Sequence, residues 1–330
     1  MLDDPVPIID ISGTRGTPRE KYRIAKEIDQ ACREIGFLVI AGHGVPEPVV
    51  ARADAAAHAY FDLPASAKLG HIPARADSFR GYHAYEASPA ALRFDDRKAP
   101  ADLFERFAIG PVDTDAADPY FAASAAARDA YAPNAWPHEV PDFGPAMCGY
   151  WHAMAELSQT LMRLFAIGLG LDEYGFDDKF DKPMSALVAQ NYPDQTAPPG
   201  PNQWRRGAHT DPGCLTILKT ENKPGGLEVR TQDGAWWPVY AIPGTFIVNL
   251  GDLMARWTND RWISAEHRVA NPPRAQARNS RLQSLIYFHQ PNYDAVIECL
   301  PTCRGERPAK YPPITSAEQH YHIAARPLAV

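Results

Sequence analysis

Two histidines and one aspartate in the second half of the chain have the types and spacing of a metal site. His209 and Asp211 stand two positions apart, and residues i and i+2 of a strand point to the same face. His267 lies on a later strand-like segment and is the third candidate ligand. Two imidazoles and one carboxylate on one side of an octahedral ion leave three positions open, which is the arrangement of non-haem iron(II) sites that activate O₂. A His-x-Asp pair alone is more often an exposed strand end than a ligand pair, so the surrounding sequence has to decide between the two interpretations.

Short apolar segments separated by Gly and Pro follow residue 183 and predict the strands that would position these ligands. Several short strands at close spacing are typical of a sandwich, barrel or jelly roll. Earlier in the chain, apolar spacing predicts helices at 18–35, 46–61 and 145–171, and short apolar runs predict strands at 7–11 and 36–40. Between 65 and 139 the periodicity is irregular, and we expect loops with a short strand around 103–109. The predicted fold class is therefore α+β.

No repeat, linker or low-complexity tract divides the chain, which favours one domain over residues 1–330. Within it we expect a mainly helical N-terminal region at 1–180, an iron-binding β core at 181–300 and a C-terminal tail at 301–330.

Composition and charge narrow the possible partners. The chain has 45% apolar residues and a net charge of −7, with its basic residues scattered, which argues against a nucleic-acid partner. Its apolar runs are too short to cross a bilayer, so we expect no membrane insertion. The five cysteines are an odd number at wide spacings, which predicts free thiols and a cytoplasmic location. The sequence carries no signal for the oligomeric state.

The order of motifs along the chain resembles the isopenicillin N synthase-like family of iron(II)- and 2-oxoglutarate-dependent oxygenases. The matching segments are 7–11, 36–45, 80–82, 207–218, 226–229, 243–252 and 266–269. The resemblance implies a double-stranded β-helix, or jelly roll, with N-terminal and flanking helices. It also implies Fe(II), 2-oxoglutarate and O₂ as cofactor and co-substrates, with His209, Asp211 and His267 as the catalytic metal ligands.

The co-substrate site departs from the family pattern at one position. Family members hold the distal carboxylate of 2-oxoglutarate with an Arg-x-Ser strand, because a guanidinium and a hydroxyl can both donate to one carboxylate. The matching serine is Ser284, but Leu282 stands at the arginine position. The candidates to replace it are the adjacent Arg281 and Arg278 just upstream. Alternation along a regular strand would point Arg281 away from Ser284 and leave it as a surface charge, and only a bulge would turn it back. The resemblance adds Tyr192 as a second hydroxyl donor, with a purely packing role as the alternative.

Rings and charges near residue 80 form the candidate substrate site. Its members are Phe79, Arg80, Tyr82, Tyr85 and Glu86. A cation, an anion and rings together suit an amino acid or another small acid, whereas a surface ion pair with loop packing is the alternative.

The leading functional hypothesis is a dioxygenase that couples 2-oxoglutarate decarboxylation to hydroxylation, desaturation or cyclisation of a small molecule. Leu282 favours a second hypothesis, an iron(II) oxidase of the same family whose substrate supplies all the electrons. A third hypothesis is a non-catalytic binding protein of the same shape.

Overall fold

The structure is a computed structural model that describes residues 5–75, 78–87, 100–115, 117–305 and 308–324, the last four residues by their backbone only. The helices in these ranges are α1 (Pro18–Glu34), α2 (Glu47–Phe61), α3 (Ala65–Leu69), α4 (Ala125–Ala130), α5 (Phe143–Leu169), α6 (Asp252–Trp257), α7 (Pro301–Arg304) and α8 (Ser316–Ala324). The strands are β1 (Ile8–Asp10), β2 (Phe37–Ala41), β3 (Gly81–His83), β4 (Glu105–Ile109), β5 (Ala186–Tyr192), β6 (Arg206–His209), β7 (Leu215–Thr220), β8 (Leu227–Arg230), β9 (Trp236–Pro238), β10 (Phe246–Leu250), β11 (His267–Val269), β12 (Leu282–His289), β13 (Val296–Ile297) and β14 (Ile314–Thr315).

Two sheets face each other in the core. The large sheet has the order β1-β2-β10-β7-β12-β5-β4-β3, and the small sheet has the order β6-β11-β8-β9. Phe37 and Leu218 of the large sheet pack in one apolar cluster with Val229 of the small sheet. The space between the two sheets is therefore partly filled by core side chains, and the rest of it forms the pocket described below, here called the inter-sheet pocket.

Strand β12 contributes side chains to both faces of the large sheet. Leu285 and Tyr287 belong to the core on the helical side, where the Tyr287 ring lies 5.1 Å from the ring of Trp151 in α5. Ser284 and Ile286 alternate with them and line the inter-sheet pocket. This alternation follows from the two-residue period of a strand. It fixes which side chains can reach the pocket.

Local signals explain where the main helices begin and end. Thr17 and Glu20 form a reciprocal capping box at the start of α1, which satisfies amide groups that the first turn leaves without partners. The 27-residue helix α5 ends at Gly170, whose φ of +77° is readily adopted only by glycine. Helix α5 carries apolar residues along its length and supports the outer face of the large sheet.

The predicted helices and early strands are confirmed to within two residues at each end. The four N-terminal strands β1, β2, β3 and β4 all join the large sheet beside strands of the predicted β core. Residues 1–180 thus contribute both the helical layer and one part of the sheet. Among the described residues, none of the helices combines the length and apolarity that crossing a bilayer requires.

Candidate metal centre and active site

Asp211 connects the small sheet to the large one. It lies in the turn that follows β6, and its Oδ2 accepts hydrogen bonds from Thr216 Oγ1 at 2.6 Å and from Asn249 Nδ2 at 2.8 Å. Thr216 on β7 and Asn249 on β10 are register partners in the large sheet. These two donors hold one carboxylate oxygen, so the other oxygen, Oδ1, is directed toward the two histidines.

His209 and His267 lie opposite each other on β6 and β11. The Nδ1 atom of His209 is 2.8 Å from the Gly207 carbonyl oxygen, and that of His267 is 3.1 Å from the Ala265 carbonyl oxygen. A carbonyl oxygen can only accept, so each Nδ1 carries a hydrogen and Nε2 is the ring nitrogen left to face a metal. Both imidazoles are therefore set in the tautomer that binds a metal through Nε2.

The three side chains converge on one point. Each histidine Nε2 is 3.8 Å from Asp211 Oδ1, and the three ligand atoms all lie within 4.8 Å of one another. His209, Asp211 and His267 are 4%, 5% and 7% exposed, so a charged group here needs a partner of opposite charge. Two imidazole lone pairs and one carboxylate oxygen on one side of a cavity fit a divalent transition metal with open coordination positions.

Asp252 braces the segments that carry two of these residues. Its Oδ1 accepts from Ser264 Oγ at 2.7 Å, its Oδ2 accepts from Thr210 Oγ1 at 3.2 Å, and its backbone N–H donates to the Asp211 carbonyl at 2.7 Å. Ser264 leads into β11, and Thr210 lies between the first two predicted ligands. The first turn of α6 thus fixes the relative position of the predicted ligands.

Polar side chains form a second group in the inter-sheet pocket, further along the strands from the metal end. Ser284 Oγ is 2.8 Å from Thr220 Oγ1 on the neighbouring strand, and the Tyr192 hydroxyl accepts a hydrogen bond from Gln190 Nε2. All four residues line the pocket. Burial raises the pKa of Tyr192 above its ordinary value, so the phenol stays protonated and can donate to an anion. The predicted Tyr192 and Ser284 are therefore brought together at one end of the pocket.

The structure corrects the expected position of Arg281. Its Nε donates to Asn191 Oδ1 at 2.9 Å and its Nη1 pairs with Asp62 Oδ1 at 2.5 Å, while the pocket is lined by the next residue, Leu282. The strand stays regular here, with Leu282 opposite Tyr192. Alternation therefore points Arg281 out of the pocket, and no bulge turns it back.

Two other arginines line the pocket, and sequence reasoning missed both. Arg106 on β4 has its guanidinium carbon 4.7 Å from the centre of the Phe79 ring. Arg206 on β6 lies 5.2 Å from the centre of the Phe104 ring, and its Nε donates to His209 Nε2 at 3.1 Å. A cation inside the predicted strand at 103–109 was a usable signal for Arg106. No comparable signal pointed to Arg206, because it lies three positions before His209 and a regular strand would point the two side chains to opposite faces.

The structure also corrects two of the five predicted substrate residues. The Arg80 guanidinium donates to the Ala130 and Ala132 carbonyls, at 2.5 and 3.2 Å. The Tyr82 hydroxyl donates to Glu105 at 2.5 Å. Both side chains are nearly buried, and a buried polar group takes the nearest acceptor available. Their contacts are structural and lie outside the residues that line the inter-sheet pocket.

The other three predicted substrate residues lie nearer the surface. Phe79 reaches the pocket wall through its contact with Arg106. Tyr85 is 41% exposed, and Glu86 accepts from Gln203 Nε2 at 2.9 Å. Substrate binding by Phe79, Tyr85 and Glu86 stays a prediction.

Comparison with known protein families identifies two matching regions. Residues 6–139 match the model described as non-haem dioxygenase in morphine synthesis N-terminal. Residues 184–291 match the 2OG-Fe(II) oxygenase superfamily. Together these regions cover the N-terminal layer and the strands that carry the His-Asp-His group.

Individual relatives extend the match over almost the whole chain. The 2-oxoglutarate-Fe(II) type oxidoreductase hxnY of Emericella nidulans is 34% identical over 96% of this chain and 88% of the relative. Validamycin A dioxygenase of Streptomyces hygroscopicus subsp. limoneus is 32% identical over 88% of this chain and 78% of the relative. A crystal structure of a full-length Neurospora crassa protein in complex with alpha-KG and thymine has a TM-score of 0.81 and 28% identity, and the match covers 97% of this chain and 96% of that one. The predicted jelly-roll fold with flanking helices is confirmed.

Proposed function

This chain belongs to the superfamily of iron(II)- and 2-oxoglutarate-dependent oxygenases, and we propose that it oxidises a small acid with iron held by His209, Asp211 and His267. The convergence of two imidazole nitrogens and one carboxylate oxygen carries the assignment of these ligands. Thr216 and Asn249 orient the carboxylate. In iron sites of this kind, such outer hydrogen bonds keep the ligands in place as the metal binds and leaves.

The enzyme is an oxidoreductase that uses Fe(II), 2-oxoglutarate and O₂. Iron bound by His209, Asp211 and His267 would supply the site of O₂ reduction. Of the four electrons needed, two would come from 2-oxoglutarate as it is converted to succinate and CO₂, and two from the substrate. Relatives of this chain are named as 2-oxoglutarate-dependent enzymes. This similarity disfavours an oxidase that works without the co-substrate, and it also disfavours a non-catalytic binding protein.

Arg106 supports a small acid as the substrate class. Its guanidinium lines the pocket and lies over Phe79, so a cation and a ring face the same space. A guanidinium binds a carboxylate through two parallel hydrogen bonds, which suits an amino acid or another small organic acid. In this proposal Arg106 takes the role first predicted for Arg80, and Phe79 keeps its predicted role.

The test is a screen of small carboxylic acids and amino acids, each paired with its neutral amide. Protein loaded with Fe(II) and 2-oxoglutarate is exposed to O₂, and succinate and product are measured together. We expect an acid to be oxidised in equal amount to the succinate formed, and its mass change to distinguish hydroxylation from desaturation or cyclisation. Arg106→Gln should raise the KM for that acid about tenfold or more, with Arg281→Gln as the matched control outside the pocket. Equal use of acids and amides by the wild type would contradict the proposed substrate class.

We also propose a cytoplasmic location, because all five cysteines are free thiols and such thiols persist where the compartment is reducing. Fractionation of the source cells tests this. Recovery of the protein from an oxidising compartment would contradict it.

A further inference from the structure

The distal end of 2-oxoglutarate carries a second carboxylate, and the polar end of the pocket offers it mainly neutral groups. Ser284, Thr220 and Tyr192 supply hydroxyls. Leu282 is 2% exposed and packs with Val269. A carboxylate taken out of water needs a cation or several strong donors to offset the loss of hydration. A guanidinium from another part of the pocket would supply such a cation.

An irregularity in β6 turns Arg206 into the pocket. His267 lies opposite His209 and Val269 lies opposite Arg206, so a step of two residues on β11 faces a step of three on β6. The extra residue is a bulge, which reverses the side-chain alternation that would otherwise apply. Arg206 consequently lines the same pocket as His209.

The surroundings of Arg206 place its charge close to the Tyr192 end. Val269, its partner across the small sheet, packs in one cluster with Phe104, Tyr192 and Leu282. The guanidinium itself lies over the Phe104 ring. In the part of the chain that the structure describes, no carboxylate forms an ion pair with Arg206, and its one hydrogen bond to a side chain goes to His209 Nε2.

We propose that Arg206 binds the distal carboxylate of 2-oxoglutarate and so replaces the guanidinium that Leu282 lacks. The inference rests on the proposed function, because a metal on His209 takes the Nε2 lone pair that Arg206 now contacts. The guanidinium then turns along the pocket toward Tyr192 and Ser284. The co-substrate is thereby held by one cation from the small sheet and by hydroxyls from the large sheet.

The other arginines fit this role less well. Arg281 is turned out of the pocket to Asp62. Arg106 lies in the same row of the large sheet as Ser284, but Gln190 stands between them in the register. The backbones of Arg106 and Ser284 are therefore two strand spacings apart, about 10 Å. The Arg106 guanidinium is stacked on the Phe79 ring.

The experiment is an anaerobic titration of the Fe(II)-loaded protein with 2-oxoglutarate, followed by the visible charge-transfer band of the chelated keto acid. Arg206→Gln should weaken 2-oxoglutarate binding about tenfold to a hundredfold. Arg281→Gln, which removes the same charge outside the pocket, should bind like the wild type. Adding Leu282→Arg to Arg206→Gln should restore most of the lost affinity, because it places a guanidinium at the usual family position.

A second ligand separates a direct contact from damage to the pocket. 2-Oxopentanoate has the same keto acid end and chain length but a methyl group in place of the distal carboxylate. Arg206→Gln should bind it as well as the wild type does, which also shows that the variant is folded and loaded with iron.

Three outcomes would overturn the inference. In the first, Arg206→Gln binds 2-oxoglutarate like the wild type. In the second, it loses affinity equally for 2-oxoglutarate and 2-oxopentanoate. In the third, the loss of affinity for 2-oxoglutarate alone appears in Arg106→Gln instead. A wild-type protein that binds Fe(II) but gives no band with 2-oxoglutarate would overturn the proposed function, and the inference with it. The first two results leave the proposed function standing, whereas the third leaves the iron site standing but removes Arg106 as support for a small-acid substrate.

Discussion

His209 and His267 are each oriented by a backbone carbonyl two residues earlier in the chain. The identity of these residues and their spacing to Asp211 were readable from the sequence, because metal ligands need particular side chains. The carboxylate's own partners were not, since Thr216 and Asn249 come from different strands of the large sheet. Only the pairing of those strands brings both donors to the same oxygen.

Thr216→Val tests the support given to the carboxylate. Valine keeps the shape of the side chain but removes the hydroxyl that donates to Asp211 at 2.6 Å. We expect Fe(II) affinity to fall about tenfold to a hundredfold, measured by competition with a chelating dye without oxygen. Thr220→Val is the matched control, because that hydroxyl contacts Ser284 rather than a predicted ligand. Equal iron affinity in Thr216→Val and wild type would show that the hydroxyl does not support the metal.

His289 makes the stability of the fold depend on pH. It is 4% exposed and stacked on Phe180, and burial lowers its pKa to about 3. In the unfolded chain the same imidazole binds a proton with a pKa of about 6.5. The stability that comes from the neutral ring is therefore fully present above about pH 6.5 and is lost as the pH falls toward 3.

Denaturant unfolding between pH 7.5 and 5 measures this effect. The wild type should lose up to about 1.4 kcal/mol per pH unit from this one group, and His289→Gln should lose correspondingly less over the same range. His138→Gln, which removes a histidine with 87% of its side chain exposed, should keep the wild-type slope. Parallel pH profiles for wild type and His289→Gln would refute the assignment.

At the scale of elements, the turn between β10 and α6 fixes the loop that carries Asp211. A Cβ atom on Gly251 would lie 2.7 Å from the Asp211 carbonyl oxygen and closer still to that of Gly213. These are backbone atoms, so the space cannot be gained by turning a side chain. Asp252 then hydrogen-bonds the same loop through its own backbone.

Gly251→Ala should therefore destabilise the protein by about 1–3 kcal/mol and also weaken Fe(II) binding. Gly149→Ala is the control, because its Cβ meets nothing within 4 Å on helix α5, and alanine favours a helix. Unfolding curves and iron titrations of the two variants give the comparison. A stable Gly251→Ala with normal iron affinity would show that the loop moves freely.

The bulge in β6 is a feature that local sequence patterns could not predict. Apolar periodicity predicted the long helix α5 to within two residues, because it has a regular repeat. The extra residue between Arg206 and His209 depends on the pairing of β6 with β11. Nothing in the segment itself specifies that pairing, and it decides which way the arginine points.

At the scale of the whole molecule, the sequence predicted the α+β class, the jelly roll and the His-Asp-His group, since several motifs in the right order all depend on one fold. It did not predict which charges face the pocket. Arg80 and Arg281 are taken up by contacts within the protein, whereas Arg106 and Arg206 line the pocket. Contacts between segments far apart in sequence decide this, and they appear only when both sheets are assembled.

The most direct test of the account measures bound iron and succinate formation together in wild type and in His209→Ala and His267→Ala. The wild type should bind one Fe(II) per chain and convert 2-oxoglutarate to succinate only when iron and O₂ are both present. Each variant should lose iron binding and succinate formation while its unfolding curve stays cooperative. Variants that keep both iron and turnover would contradict the central claim that these residues hold the catalytic metal.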